Sequence, residues 1–314
     1  MVRVALAGTG AFGVKHLDAL SRISDVEVVC VVSRTLDQAR AVAERYSIAR
    51  ASVDFADLLV DEVDAVVLCT PTQLHAAQTI AALEADKHVM VEIPVADSWA
   101  DARAVSEAAR ATNRVCMVGH TRRFNPSHQW IHRRVVAGEF SLQQLDVQTY
   151  FFRRTNTNAL GQARSWTDNL LWHHAAHTVD LFAYQCGEKI AVARALAGPI
   201  HPDLAIPLDL SIQLRSESGA LCTLSLSFNN EGPFGTFFRY IGDSGTYVAR
   251  YDDLVTGFDE VVDVSGVAVA LDGIELQDRE FLRAISEGDE PNGSIDSVLA
   301  CYEVLGELQR QIDE

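Results

Sequence analysis

Six residues, GTGAFG, follow the apolar run VRVALA and precede the helical pattern HLDALSRI. Gly8, Gly10 and Gly13 thereby stand as G-x-G-x-x-G between a strand and a helix, the arrangement of a dinucleotide-binding βαβ unit. The first glycine permits a tight turn, the second lets backbone approach a pyrophosphate, and the third lets helix and strand pack closely. Gly8, Thr9, Gly10, Ala11 and Phe12 are therefore the expected seat of the pyrophosphate, on the amides of a helix N-terminus.

The pattern continues in kind. The β-branched runs VRVALAG, VEVVCVV, VDAVVLCT, HVMVEI and VCMVG alternate with HLDALSRI, LDQARAVAERY, LHAAQTIAALEA and SWADARAVSEAARAT, whose apolar residues recur at helical spacing. Continuous apolar strands alternating with helices predict a parallel, doubly wound sheet covered on both faces, a Rossmann domain over residues 1–120. After His120 the texture changes. A helix entered through Pro126 is followed by alternating segments, QQLDVQTYFF, LDLSIQLRS, ALCTLSLSFN, FFRYIGDSGTYVARY and DEVVDVSGVAVAL, and by two amphipathic helices, QDREFLRAISEG and SIDSVLACYEVLGELQRQIDE. Residues 121–314 thus read as an α+β domain with a large open, mostly antiparallel sheet. No low-complexity linker separates the two parts.

Charge narrows the partners. A formal net charge of −17 argues against a nucleic-acid or anionic-membrane surface, so an anionic ligand requires a local cluster of arginines. No apolar run reaches the length of a membrane helix, and MVRVALAG enters a strand directly, so no leader peptide is expected. Six cysteines are scattered without a C-x-x-C pair, which predicts free thiols and a reducing cytoplasm. The second strand ends in VVSRT. Ser33, Arg34 and Thr35 offer no carboxylate for a ribose 2′-hydroxyl, while Arg34 can pair with a 2′-phosphate and stack on adenine. NADP is the expected cofactor, with NAD accepted more weakly.

CTPTQLH (69–75), EIPVA (92–96), GHTRRFNP (119–126) and HHAAHTVDL (173–181) follow one another in an order and spacing that resemble the glucose–fructose oxidoreductase/inositol dehydrogenase family across essentially the whole chain. The resemblance implies that Cys69, Thr70, Pro71, His75, Glu92 and Ile93 line the cofactor cleft. It also implies a homodimer formed through the open C-terminal sheet. The stretch TYFFRRTNTNALGQARSWTDNLLWHHAAHTVDLF narrows the resemblance to members that oxidise the cyclic hemiacetal of a dicarboxylate from aromatic-ring catabolism, with reduction of NADP.

Carried over position by position, the family's catalytic lysine is Ile93 here, its aspartate is His173 and its histidine is His177. Proton transfer must therefore come from elsewhere. Histidines four apart share a helical face, and an imidazole suits a base at neutral pH, so His173 and His177 are the expected catalytic pair, with Asp180 read either as a carboxylate that orients His177 or as a helix-surface carboxylate. No metal site is expected, because the glutamate and third ligand of H-E-x-x-H are missing. Arg122, Arg154 and Arg164 are expected to bind the dicarboxylate, since guanidinium takes a carboxylate bidentately, and Trp166 to wall a flat ring. Two competing readings are a sugar, polyol or diol dehydrogenase of the same family, and a non-catalytic NADP-binding regulator.

Overall fold

In the computed structural model, which describes residues 1–157, 167–268 and 272–314, the strands form two separate sheets. The first contains β1 (Val2–Ala7), β2 (Val26–Val32), β3 (Arg50–Ser52), β4 (Ala65–Leu68), β5 (His88–Val91) and β6 (Cys116–Val118), in the order β3-β2-β1-β4-β5-β6 with every pairing parallel. The crossovers carry α1 (Ala11–Leu20), α2 (Leu36–Tyr46), α3 (His75–Glu84) and α4 (Trp99–Thr112). Val4 to Ala7 and Ala65 to Leu68 are essentially inaccessible, as helices on both faces require. Local signals set the helix ends: Thr35 accepts from the Gln38 amide at the start of α2, and Ser98 accepts from the Asp101 amide at the start of α4. The short edge strand β3 escapes the sequence pattern because three residues carry no periodicity.

The second sheet contains β7 (Leu142–Tyr150), β8 (Ile190–Ala197), β9 (Asp209–Ser216), β10 (Leu221–Ser227), β11 (Gly235–Gly242), β12 (Gly245–Arg250) and β13 (Asp253–Thr256), in the order β13-β12-β11-β7-β10-β9-β8. Only β7 and β10 run parallel. Burial alternates residue by residue along β9 and β10, so one face meets α6 (Ala176–Cys186) and the other stays open. One expected strand is corrected. In DEVVDVSGVAVAL, residues 259–268 contain only an isolated bridge from Val255 to Val261, and 269–271 lie outside the described residues. Two glycine- and aspartate-rich turns interrupt the ladder there, and apolar alternation alone does not make a strand. A helix, α5 (Pro126–Val136), begins on its proline as predicted.

Two helices close the chain, α7 (Gly273–Glu287) and α8 (Ile295–Asp313). Contacts group Met1–Gly119 with Ile274–Leu299, and His120–Gly273 with Ala300–Glu314. The sequence pattern breaks once, near residue 120. The contact grouping also returns 274–299 to the first unit, a pairing that helical periodicity does not encode.

Candidate active site

In the first unit the glycine loop has the geometry its spacing requires. Gly8 has φ +95°, and a Cβ there would lie 2.3 Å from the Cys69 carbonyl oxygen. A Cβ at Gly13 would lie 2.0 Å from the Gly8 carbonyl oxygen, while one at Gly10 meets nothing within 4 Å. Open space thus lies over the N-terminus of α1, where no side chain caps the amides. That is the cradle a pyrophosphate fills. Thr9 donates to Ser33 across 2.6 Å, joining the glycine loop to the end of β2. Next to Ser33, Arg34 is exposed, with no ion pair among the described residues, and Thr35 is occupied as the cap of α2.

The CTPT and EIP loops of the same unit are braced against each other. His75 is buried and reaches the carbonyl oxygens of Pro94 (2.8 Å) and Thr70 (2.7 Å), so it ties the CTPT loop to the EIP loop. Burial holds its pKa below the usual value, outweighing those two carbonyls. Thr70 donates to Gln78, and burial with the charge of Glu92 pushes the Cys69 thiol well up, leaving it protonated. Ile93 is half-buried; Glu92 is buried beside it, and its carboxylate meets a feature absent from every sequence motif. His16 Nε2 lies 2.9 Å from Glu92 Oε1, and His16 Nδ1 lies 2.8 Å from Asp278 Oδ1 of α7. Burial opposes a charged ring here, but Asp278 and then Glu92 raise the His16 pKa to about 10. An imidazolium is therefore held between two carboxylates, one on the EIP loop and one on α7.

The second unit holds the histidines and arginines. Arg122 and Arg123 leave the short helical turn Thr121–Arg123 in different directions. Arg123 is buried and binds Asp180 with two hydrogen bonds, of 2.8 and 2.6 Å. Burial alone would raise the Asp180 pKa, but Arg123 and His120 hold it below the usual carboxylate range. His120 Nδ1 lies 3.5 Å from the same carboxylate. Asp180 is thus buried and committed to Arg123 and His120, which corrects the reading of a helix-surface carboxylate, and among the described residues it makes no hydrogen bond to His177. Arg122 is different. It is half-buried, lies over the rings of Tyr251 (5.0 Å) and Phe238 (5.8 Å), and among the described residues bonds an amide oxygen, Asn125 Oδ1, at 3.2 Å. Its Nε is buried without a partner, and among the described residues no carboxylate lies within ion-pair distance. Burial lowers its pKa, yet a guanidinium stays charged.

Arg153 and Arg154 repeat the contrast. Arg153 pairs with Asp168, which also takes His174 Nε2 at 3.1 Å. Arg154 is exposed, stacked on Phe152 and donating to Asn229. Arg164 and Trp166 lie outside the described residues. Trp172 is core, its indole donating to Gln309.

His173 and His177 do not share one α-helix. Leu170–Ala175 is a π-helical turn, capped by Asn169 Oδ1 accepting from the amides of Leu171 and Trp172, and α6 starts only at Ala176. The junction combines a four-residue bond, His173 N–H to the Asn169 carbonyl oxygen, with a five-residue bond, Ala176 N–H to the Leu171 carbonyl oxygen. π-Turns cannot be read from periodicity, although HHAAH beside an asparagine cap was the place to look. His177 sits edge-on to His120, with centroids 6.2 Å apart. Its Nδ1 is buried with no hydrogen-bond partner among the described residues. Burial, then Arg122, then His120, His174 and His128 keep its pKa well below the usual value, so the ring is neutral. His128, fully buried with Nδ1 2.7 Å from the Tyr240 hydroxyl, is held neutral in the same way by burial and Arg122. Neither His120 nor His128 was singled out from sequence. Both lie in GHTRRFNPSH, where only their density hinted at a site.

A neutral imidazole near a guanidinium that makes no ion pair among the described residues can accept a proton from a bound hydroxyl.

Comparison with known proteins bears on both units. Residues 2–120 match the model of an oxidoreductase family with an NAD-binding Rossmann fold, and residues 126–268 match that of bacterial oxidoreductases, C-terminal domain. The chain is 65% identical over 314 residues to a 4-carboxy-2-hydroxymuconate-6-semialdehyde dehydrogenase from Sphingobium sp. SYK-6, covering 100% of this chain and 99% of that protein. It is 36% identical over 140 residues, 44% of this chain and 41% of the other, to a scyllo-inositol 2-dehydrogenase (NAD(+)) from Bacillus subtilis. An oxidoreductase from Agrobacterium radiobacter, solved with NAD+, L-tartaric acid and magnesium, has the same fold, with TM-score 0.84, 18% identity, and coverage of 100% and 96%.

Proposed function

Because the chain belongs to this oxidoreductase family with the NAD-binding Rossmann fold, and is a dehydrogenase with a nicotinamide cofactor, we propose that it oxidises the cyclic hemiacetal of 4-carboxy-2-hydroxymuconate-6-semialdehyde to 2-pyrone-4,6-dicarboxylate with NADP. The observation that carries this reading is the full-length identity of 65% to a dehydrogenase of that name. Arg122, a guanidinium with no ion pair among the described residues of an acidic chain, supports an anionic substrate. In the reaction the hemiacetal hydroxyl loses its proton to a histidine, His173 or His177, while its carbon loses a hydride, and the product is a lactone. When bound, the nicotinamide accepts that hydride. Arg122 holds one carboxylate and, in this reading, Arg154, Arg164 and Trp166 contribute to the substrate site. Two copies would pair through the open face of the second sheet, where Leu196 and Leu221 are exposed.

Absorbance of reduced nicotinamide, followed with the muconate semialdehyde, glucose and inositol in turn, tests the reading. A rate on the semialdehyde at least a hundredfold above the polyols is the expected result, and equal or inverted rates would return the chain to sugar or polyol chemistry. No rate on any of them would make it a non-catalytic NADP binder.

Cofactor choice is tested by Arg34→Ala. Loss of a charged hydrogen bond to a 2′-phosphate should weaken NADP by about 10–100-fold and leave NAD nearly unchanged. Isothermal titration with both cofactors decides, and equal weakening removes Arg34 from the assignment. For the substrate, Arg122→Ala is expected to raise KM by about 10–100-fold, equivalent to about 1.5–3 kcal/mol for a hydrogen bond to a charged group. Steady-state kinetics with saturating NADP measures it, and an unchanged KM would leave Arg122 without a carboxylate to hold.

A further inference from the structure

We propose that Asn125 is a positioning residue for substrate charge: its side-chain amide stands between Arg122 and the carboxylate of Asp252, and so leaves the guanidinium open to a carboxylate that arrives from outside the chain. That Arg122 meets a substrate carboxylate rests on the function proposed above.

Asn125 immediately precedes α5, where an asparagine ordinarily turns its side-chain oxygen onto the first amides of the helix. Here it makes no such cap. The residue is buried, and its amide is engaged elsewhere. Oδ1 accepts from Arg122 Nη1 at 3.2 Å, and Nδ2 donates to Asp252 Oδ1 at 2.6 Å. The partners fix this orientation. Every guanidinium nitrogen is a donor, so the amide must turn its oxygen to Arg122, and its NH2 then faces the acidic residue. Gly273 leaves room for the amide, since a Cβ there would lie 2.4 Å from Asn125 Nδ2. Asp252 sits between β12 and β13, next to Tyr251, whose ring centroid is 5.0 Å from the Arg122 guanidinium carbon.

Arg123 shows the alternative. It takes a carboxylate directly, with bonds of 2.8 and 2.6 Å to Asp180, and is neutralised. An aspartate at position 125 would do the same to Arg122. The neutral amide instead binds the guanidinium without cancelling its charge, and Asp252 stays beyond ion-pair distance. Burial lowers the Arg122 pKa, with Tyr251 and Asp252 opposing it through space, yet Asp252 takes none of its hydrogen bonds. Nε is buried with no hydrogen-bond partner among the described residues. A buried charged donor in that condition is costly unless a ligand supplies the acceptor.

The test exchanges the two partners of the amide bond. Asn125→Asp combined with Asp252→Asn keeps the composition and net charge of the trio, but places the carboxylate against Arg122. Binding of benzene-1,3-dicarboxylate to the full chain is followed by isothermal titration, and thermal unfolding checks that each variant is folded. The exchange should weaken binding by about 10–100-fold, the range for a lost hydrogen bond to a charged group. Arg122→Ala should weaken it to the same extent, and the exchange made on top of Arg122→Ala should add nothing further. Should the exchanged protein not fold, Asn125→Asp alone carries the same expectation. In turnover of the semialdehyde the loss should fall on KM rather than on kcat. An exchanged protein that binds as tightly as wild type, or that loses as much again without Arg122, would overturn the proposal, and so would a wild type that does not bind the dicarboxylate. Because the probe is not a substrate, these results stand whether or not the semialdehyde is oxidised, and the nicotinamide assay above judges that reading separately.

Discussion

Replacing His177 with alanine is expected to lower turnover by about 10²–10⁴-fold, the usual contribution of a general base, with NADP affinity unchanged. Rapid-mixing kinetics at saturating substrate and cofactor measures the first, and titration of cofactor alone the second. The electrostatics add a pH signature. Burial and the nearby Arg122 keep the His177 pKa well below its usual value, so its lone pair is available throughout the neutral range. Activity should therefore hold on acidification past the ordinary histidine pKa near 6.5 and decline only at lower pH, as the ring finally protonates. Arg122→Ala removes the largest neighbouring positive charge and so should move that acid limb upward, towards the ordinary value. Wild-type activity that falls around pH 6.5, unmoved by Arg122→Ala, would mean that another group is the base.

The second large effect concerns stability. His16→Leu would leave the carboxylates of Glu92 and Asp278 facing each other in a buried space without their shared cation. Removing one partner of a buried charge network costs about 3–5 kcal/mol, which corresponds to roughly 6–20 °C in Tm for a unit of this size. Calorimetry of the two proteins at neutral pH gives the comparison. The sign of the pH dependence follows from linkage. The folded-state pKa of His16 is raised from 6.5 to about 10, so its stabilisation is complete below the unfolded value and is lost as pH rises through the interval. The Tm gap between wild type and His16→Leu should be widest at pH 6 and narrow steadily towards pH 10. A gap that widens with pH would show that the ring is neutral in the fold.

Much of the architecture is legible in the chain. G-x-G-x-x-G after an apolar strand requires a backbone that approaches itself at Gly13 and leaves space at Gly10, and both are found. Periodicity distinguishes the unbroken apolar strands of the first sheet from the alternating strands of the second, because burial on two faces and on one face write different patterns. The start of α5 at Pro126 and the cap of α4 at Ser98 are likewise local chemistry. The same logic overreaches at DEVVDVSGVAVAL and cannot foresee a π-turn, since both depend on how a segment meets its neighbours.

Residue type and spacing, then, were enough to determine the two sheets, the nucleotide loop and the presence of a histidine- and arginine-rich segment. Which of those side chains can do chemistry was decided only in three dimensions. Arg122 and Arg123 are adjacent and equivalent in sequence, yet Arg123 is neutralised by Asp180, 57 residues away, while Arg122 meets aromatic rings and an amide and makes no ion pair among the described residues. Arg153 and Arg154 divide in the same manner around Asp168. His16 becomes a buried cation only because Asp278, 262 residues distant, arrives on α7. Caps, turns and hydrophobic periodicity arise from interactions within a few residues, which a sequence displays directly. The charge and protonation of a buried group follow from the partner that the fold brings to it, and that partner can come from anywhere in the chain.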